Sequence, residues 1–119
     1  MKKIIIVSLI LNIMLYAEEN SNNVAQKNIY ERTCLPCHRY LPSSLGDMYM
    51  RYLKTFSGEQ TFKASLKAFL KEPLEQTSVM SNLFIDRFSV KDKSLLNDKQ
   101  LDEAIDIYWN LYNVRNKLK

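Results

Sequence analysis

Five consecutive residues, Cys34-Leu35-Pro36-Cys37-His38, hold both cysteines and the only histidine of this 119-residue chain. Whatever fold forms must bring all of its thiol and imidazole chemistry to one place. On a helical turn, residues three and four apart share a face. Cys34 and Cys37 are therefore expected on one side, with His38 following at once. A chain of this size buries only a small core, so any group bound at that turn would dominate the packing.

C-x-x-C-H is the pattern that attaches a c-type haem. Cys34 and Cys37 can add to two vinyl groups on one porphyrin edge, giving thioethers. His38 can then turn its imidazole under the ring centre as the proximal iron ligand. One covalent haem c is the expectation. Three other uses of the same residues compete with it. A thioredoxin-like redox pair also uses C-x-x-C, but it needs a βαβ pattern and no strand is legible. A zinc site wants four ligands from spaced pairs, and no second Cys/His pair exists. A structural disulfide is the third.

Residues 1–17 read as a secretory signal. Lys2 and Lys3 form a positive start, Ile4 to Tyr16 is apolar apart from Ser8 and Asn12, and Ala17 offers a small residue before Glu18. The apolar run is shorter than the roughly 20 residues a membrane-spanning helix needs. Membrane attachment is expected only if that segment is retained. Residues 18–119 form the single expected domain. Loss of Lys2 and Lys3 takes the formal charge from +4 to +2, and two haem propionates would offset the remainder. The basic balance thus gives no reason to expect nucleic acid. The modest cluster at Arg115, Lys117 and Lys119 reads as a solvated helix end.

The apolar spacing predicts an all-α domain. A helix from Val24 to Thr33 feeds the motif, and Tyr30 stands one turn before Cys34. Pro42 ends the attachment turn, and Ser43 or Ser44 can cap the next helix. Its stripe is Leu45, Met48, Tyr49, Tyr52, Leu53 and Phe56. Gly58 is a joint. A further helix runs from Glu59 to Lys71 with Phe62, Leu66, Phe69 and Leu70 inward, and Pro73 breaks it. Residues 74–80 read as a loop. Ser81 to Phe88 adds a short helix contributing Leu83, Phe84, Ile85 and Phe88. Residues 90–96 are a charged connection. Asn97 caps the last helix with Gln100 three residues on. Its buried face is expected to be Leu101, Ala104, Ile105, Tyr108, Leu111 and Tyr112.

Two stretches together resemble monohaem class I cytochrome c. One is Tyr30 ahead of Cys34-x-x-Cys37-His38; the other is Leu101-Asp102-Glu103-Ala104-Ile105-Asp106-Ile107-Tyr108, which is similar to that family's final helix. The chain departs from the family at Gln26 and Arg39, where glycines are common. The resemblance implies a cytochrome c-like helical domain packed around one haem, with the terminal helices crossing beside it. It implies maturation outside the bacterial inner membrane, hence a periplasmic protein. It places the distal iron ligand in the loop before the final helix, which selects Met80. Met48 reads as core packing and Met50 as surface, while Lys71 or another lysine is the alternative ligand. The resemblance also makes Pro42 a candidate carbonyl acceptor for the His38 ring N–H. Tyr30, Tyr108, Trp109 and Tyr112 read as core aromatics.

The function implied is one-electron transfer between redox partner proteins through small transient interfaces, by a monomer. A five-coordinate haem sensor or ligand binder is the first alternative. A haem subunit of a larger periplasmic oxidoreductase is the second. No spare His, Cys or paired-carboxylate constellation stands out, so an enzyme acting alone is not expected.

Overall fold

The computed structural model describes residues 27–118, apart from the side chains at 116 and 117. The expected signal segment 1–17, Val24 and Gln26 lie outside them. The described chain is helical without strands: α1 (Ile29–Thr33), α2 (Leu35–His38), α3 (Leu45–Thr55), α4 (Glu59–Lys71), a 3-10 turn (Glu75–Thr77), α5 (Asn82–Phe88), α6 (Asp98–Tyr112) and a last 3-10 turn (Val114–Lys117). Among the described residues, no helix is long and apolar enough to cross a membrane.

Side-chain caps start four of the helices. Asn28 accepts from Glu31 N–H at α1, and Ser81 accepts from Phe84 N–H at α5. Ser44, not Ser43, caps α3, in a reciprocal capping box with Asp47. Asn97 and Gln100 form the expected box at α6. Such caps satisfy amide donors that have no partner inside the helix. Gly58 turns the chain between α3 and α4 at φ 95°, a conformation a Cβ would strain.

The antiparallel pairing of α4 and α6 forms the rigid wall of the molecule. Lys63, Lys67 and Lys71 meet Asp106, Asp102 and Asp98 at 2.9, 2.8 and 2.8 Å. Each rung steps four residues along both helices, so the pairing holds only in one register. Behind it sits an aromatic core. Phe62 is wholly buried, and Tyr49 reaches the rings of Phe62, Tyr108, Trp109 and Tyr112 at 4.9–5.7 Å. Tyr30 of α1 stacks on Tyr108 of α6 at 5.8 Å, which joins the two terminal helices. The Tyr108 hydroxyl donates to the Leu45 carbonyl and ties α6 to the start of α3. Gly46 leaves room for the Tyr112 ring, which a Cβ there would meet at 3.1 Å.

Several side chains sit differently from the periodic expectation. Leu111 is half-exposed, and Trp109 is buried in its place. Helices α1 and α4 both pack on α6; together they widen its covered arc to include Trp109, and Leu111 falls on the side neither covers. Residues 74–80 include a 3-10 turn rather than loop alone. In α5 only Ile85 is buried, while Leu83 is 77% exposed and Phe88 42%. Among the described residues, no other helix makes an extended contact with α5, which leaves Leu83 outward. It ends at Ser89, which takes φ 62° and ψ 176°. That backbone region costs a non-glycine residue about 1–3 kcal/mol.

Candidate functional site

The attachment turn is helical almost throughout. Cys34 closes α1 and opens α2 with right-handed helical dihedrals. The bonds His38 N–H to Cys34 O (3.2 Å) and Arg39 N–H to Leu35 O (3.0 Å) keep the four-residue step. Pro36 lies in the first turn of α2, where a missing N–H leaves no helix bond unmade. This geometry turns Cys34, Cys37 and His38 toward one cavity, all three lining it.

That cavity is mainly apolar and measures about 590 Å³, within the range of roughly 300–1,000 Å³ that small-molecule and cofactor sites occupy. Tyr30 and Tyr108 bound it beside the cysteines. Leu45, Met48, Tyr52 and Leu66 come from α3 and α4. Val79, Met80, Phe84 and Phe88 come from the stretch before and within α5. Met80 thus reaches the same space as His38 from a segment more than forty residues away in the chain. Its amide donates to Ser78 Oγ at 3.2 Å, which holds the backbone at that point. Met48 lines the cavity as well, so its place is not core packing alone; Met50 is 54% exposed. Lys71 is engaged with Asp98 at 2.8 Å and is absent from the cavity lining.

The electrostatics favour uncharged donors. Burial, helped by the Lys91 charge, lowers the His38 pKa from its ordinary 6.5, which favours the neutral imidazole that binds metals. Burial raises the Cys34 thiol, partly offset by Thr33 and Lys91. Both thiols are free, with Cys34 half-buried and Cys37 exposed. The His38 Nδ1 atom is buried without a hydrogen-bond partner. The Pro42 carbonyl therefore does not accept from it: the bend at 41–43 leads directly to the Ser44 cap. The Tyr52 hydroxyl is likewise buried and unpartnered, and burial pushes its pKa up to about 12.

Among the described residues, no group of three His, Cys, Asp or Glu side chains converges to hold a metal ion. Cys34, Cys37 and His38 line the cavity from one helical turn, whereas a structural zinc centre takes four converging donors. Two thiols, an imidazole favoured in its neutral form and a thioether share this mainly apolar cavity. Lys91, Ser89 and Ser94 also line the cavity. Sequence patterning did not single them out, because an irregular connection has no period to read.

No family model, curated protein or solved structure matches the chain.

Proposed function

We propose that the chain is a c-type cytochrome: a periplasmic one-electron carrier holding a single covalent haem. The observation that carries this reading is that Cys34, Cys37, His38 and Met80, drawn from two distant stretches, line one apolar cavity of about 590 Å³. Cys34 and Cys37 would hold the porphyrin edge, His38 would bind the iron on the proximal side, and Met80 would be the distal ligand. When bound, the haem supplies reversible Fe(III)/Fe(II) electron exchange, at a potential that a Met/His pair sets high. Tyr30, Leu66, Val79 and Tyr108, which line the same cavity, would shield such a group from water. A thioether in the distal position leaves no site for oxygen or substrate, which favours electron transfer over catalysis.

The test is an optical spectrum of protein matured with the haem-attachment machinery, oxidised and reduced, followed by a pyridine haemochrome of the denatured chain. Covalent haem with sharp low-spin bands and a sulfur-to-iron charge-transfer feature is expected. In Met80→Ala the haem should turn high-spin and bind carbon monoxide, whereas Met48→Ala should keep the parent spectrum. A Met80→Ala protein that remains native-like and low-spin removes Met80 from the iron. High-spin haem in the parent itself would favour a sensor or ligand binder. Absence of covalent haem returns Cys34 and Cys37 to thiol chemistry.

A further inference from the structure

Thr33 immediately precedes Cys34, and both residues line the cavity. The Thr33 hydroxyl donates to the Ile29 carbonyl at 2.6 Å. Its oxygen also lies 3.7 Å from Cys34 Sγ. A hydroxyl carries one hydrogen. While that hydrogen is on the Ile29 carbonyl, Oγ1 can only accept from the neutral thiol. Loss of the thiol proton changes the balance. A thiolate is a charged acceptor, and bonds to charged groups are roughly twice as strong as neutral ones. Turning the hydroxyl about its C–O bond then brings its hydrogen to Sγ. The Ile29 carbonyl is not left bare by this, because in an α-helix it also takes the amide four residues on.

The two cysteines differ in what surrounds them. Cys34 is half-buried, whereas Cys37 is exposed. Burial favours the thiol form of Cys34, yet the thiolate is the nucleophile. Lys91, on the connection after α5, favours the thiolate, and Cys37, one turn on, opposes it. The phenols of Tyr30 and Tyr108 also feel the Cys34 charge. Among the described residues, Thr33 is the one whose side chain stands within hydrogen-bond reach of Sγ.

We propose that Thr33 activates Cys34: its hydroxyl hydrogen turns from the Ile29 carbonyl to Sγ as the thiol ionises, and keeps the half-buried sulfur nucleophilic for covalent attachment. The proposal rests on the haem reading for the identity of the electrophile, a vinyl group. In that addition the thiolate sulfur bonds to the vinyl carbon next to the ring, the carbon–carbon π bond breaks, and the outer carbon takes one proton from solvent. The proton released by the thiol balances the one taken up, so no oxidant or reductant is consumed. Thr33 stays on Sγ until the new bond forms and then returns to Ile29.

Thr33→Val removes the hydroxyl and keeps the branched shape, while Thr33→Ser keeps the hydroxyl. In the haem-free full chain, the rate of iodoacetamide alkylation of each cysteine is followed across pH by fragmentation mass spectrometry. Thr33→Val should slow Cys34 at neutral pH roughly five- to tenfold and move its profile to higher pH. Thr33→Ser should keep the parent profile, and Cys37 should stay at its parent rate in both variants. After maturation with the attachment machinery, Thr33→Val should yield more chain holding haem through Cys37 alone, seen in the pyridine haemochrome as one unreacted vinyl. An unchanged Cys34 profile in Thr33→Val overturns the proposal. So does equal slowing in Thr33→Ser, or an equal change at Cys37, since either traces the effect to the packing of α1 instead of the hydroxyl. A shifted Cys34 profile with both thioethers fully formed overturns the role in attachment. Protein that gains no covalent haem sinks the cytochrome reading separately. The alkylation profile is read without haem, so it still supports or overturns the pairing of Thr33 with Cys34.

Discussion

The wall built from α3, α4 and α6 and the wall built from α1, α2 and residues 78–96 solve the burial problem differently. On the first, Tyr49, Phe62, Tyr108 and Trp109 bury one another, and lysine–aspartate rungs fix the register outside. On the second, Val79, Met80, Phe84 and Phe88 line a cavity, with the Phe84 and Phe88 rings tilted against each other at 4.8 Å. The first wall closes much of its apolar surface on itself, although Leu45, Met48, Tyr52, Leu66 and Tyr108 also reach the cavity, while the second turns apolar side chains, two thiols and an imidazole toward it. The difference teaches that the aromatic core is a scaffold and the other wall is arranged around the space it lines.

Five variants probe the two walls. The largest effect is expected from Cys34→Ala combined with Cys37→Ala. This should abolish covalent pigment, seen as loss of haem stain on a denaturing gel, while the far-ultraviolet helical signal of the scaffold persists in part. Retained covalent pigment would break the assignment of the thiols. Phe62→Ala comes next. Removing a wholly buried ring from the scaffold should cost about 3–5 kcal/mol in denaturant unfolding. Phe88→Ala on the other wall, where the ring is 42% exposed, should cost far less, and equal losses would erase the distinction. Tyr108→Phe keeps the ring packing but leaves the Leu45 carbonyl without its donor; a loss of about 1–2 kcal/mol is expected.

The smallest effect is expected at the ladder. Asp98→Asn should shift unfolding only slightly, and high salt should shrink the difference, because exposed pairs are screened. The sign with pH follows from Lys71. It holds Asp98 below its ordinary 3.8, chiefly through their hydrogen bond. The contribution is therefore present above that value and lost as pH falls through the lowered one. Acid titration of parent and Asp98→Asn should converge at the acid end; curves that stay parallel down to that limit would remove Asp98 from the stability balance.

Much of the scaffold is legible in the residues. Pro73 ends α4 after Lys71, Asn97 and Gln100 start α6, and the stripe from Leu45 to Phe56 gives α3 its buried face, because each of these signals acts within one or two turns. The ladder was not read from the sequence: lysines and aspartates repeat every four residues along α4 and α6, but which lysine meets which aspartate depends on the antiparallel placement of the two helices. Leu111 and Leu83 were misplaced for the same reason. A hydrophobic period says which residues share a face, but the neighbours decide how wide an arc is covered.

The candidate site divides in the same way. Sequence alone determined that Cys34, Cys37 and His38 lie close together, since five adjacent residues cannot be separated by any fold. It also determined the all-helical class, through apolar spacing and capping residues that are local in origin. Only the tertiary structure decided that Met80 and Met48 share a cavity with His38, that Lys71 is tied up with Asp98, and that Pro42 leaves the His38 ring nitrogen unpartnered. Those facts depend on how segments far apart in the chain are packed together, and no local pattern encodes that distance. The strained backbone at Ser89 belongs with them, because a left-handed residue that is not glycine is held there by its surroundings rather than by its own preference.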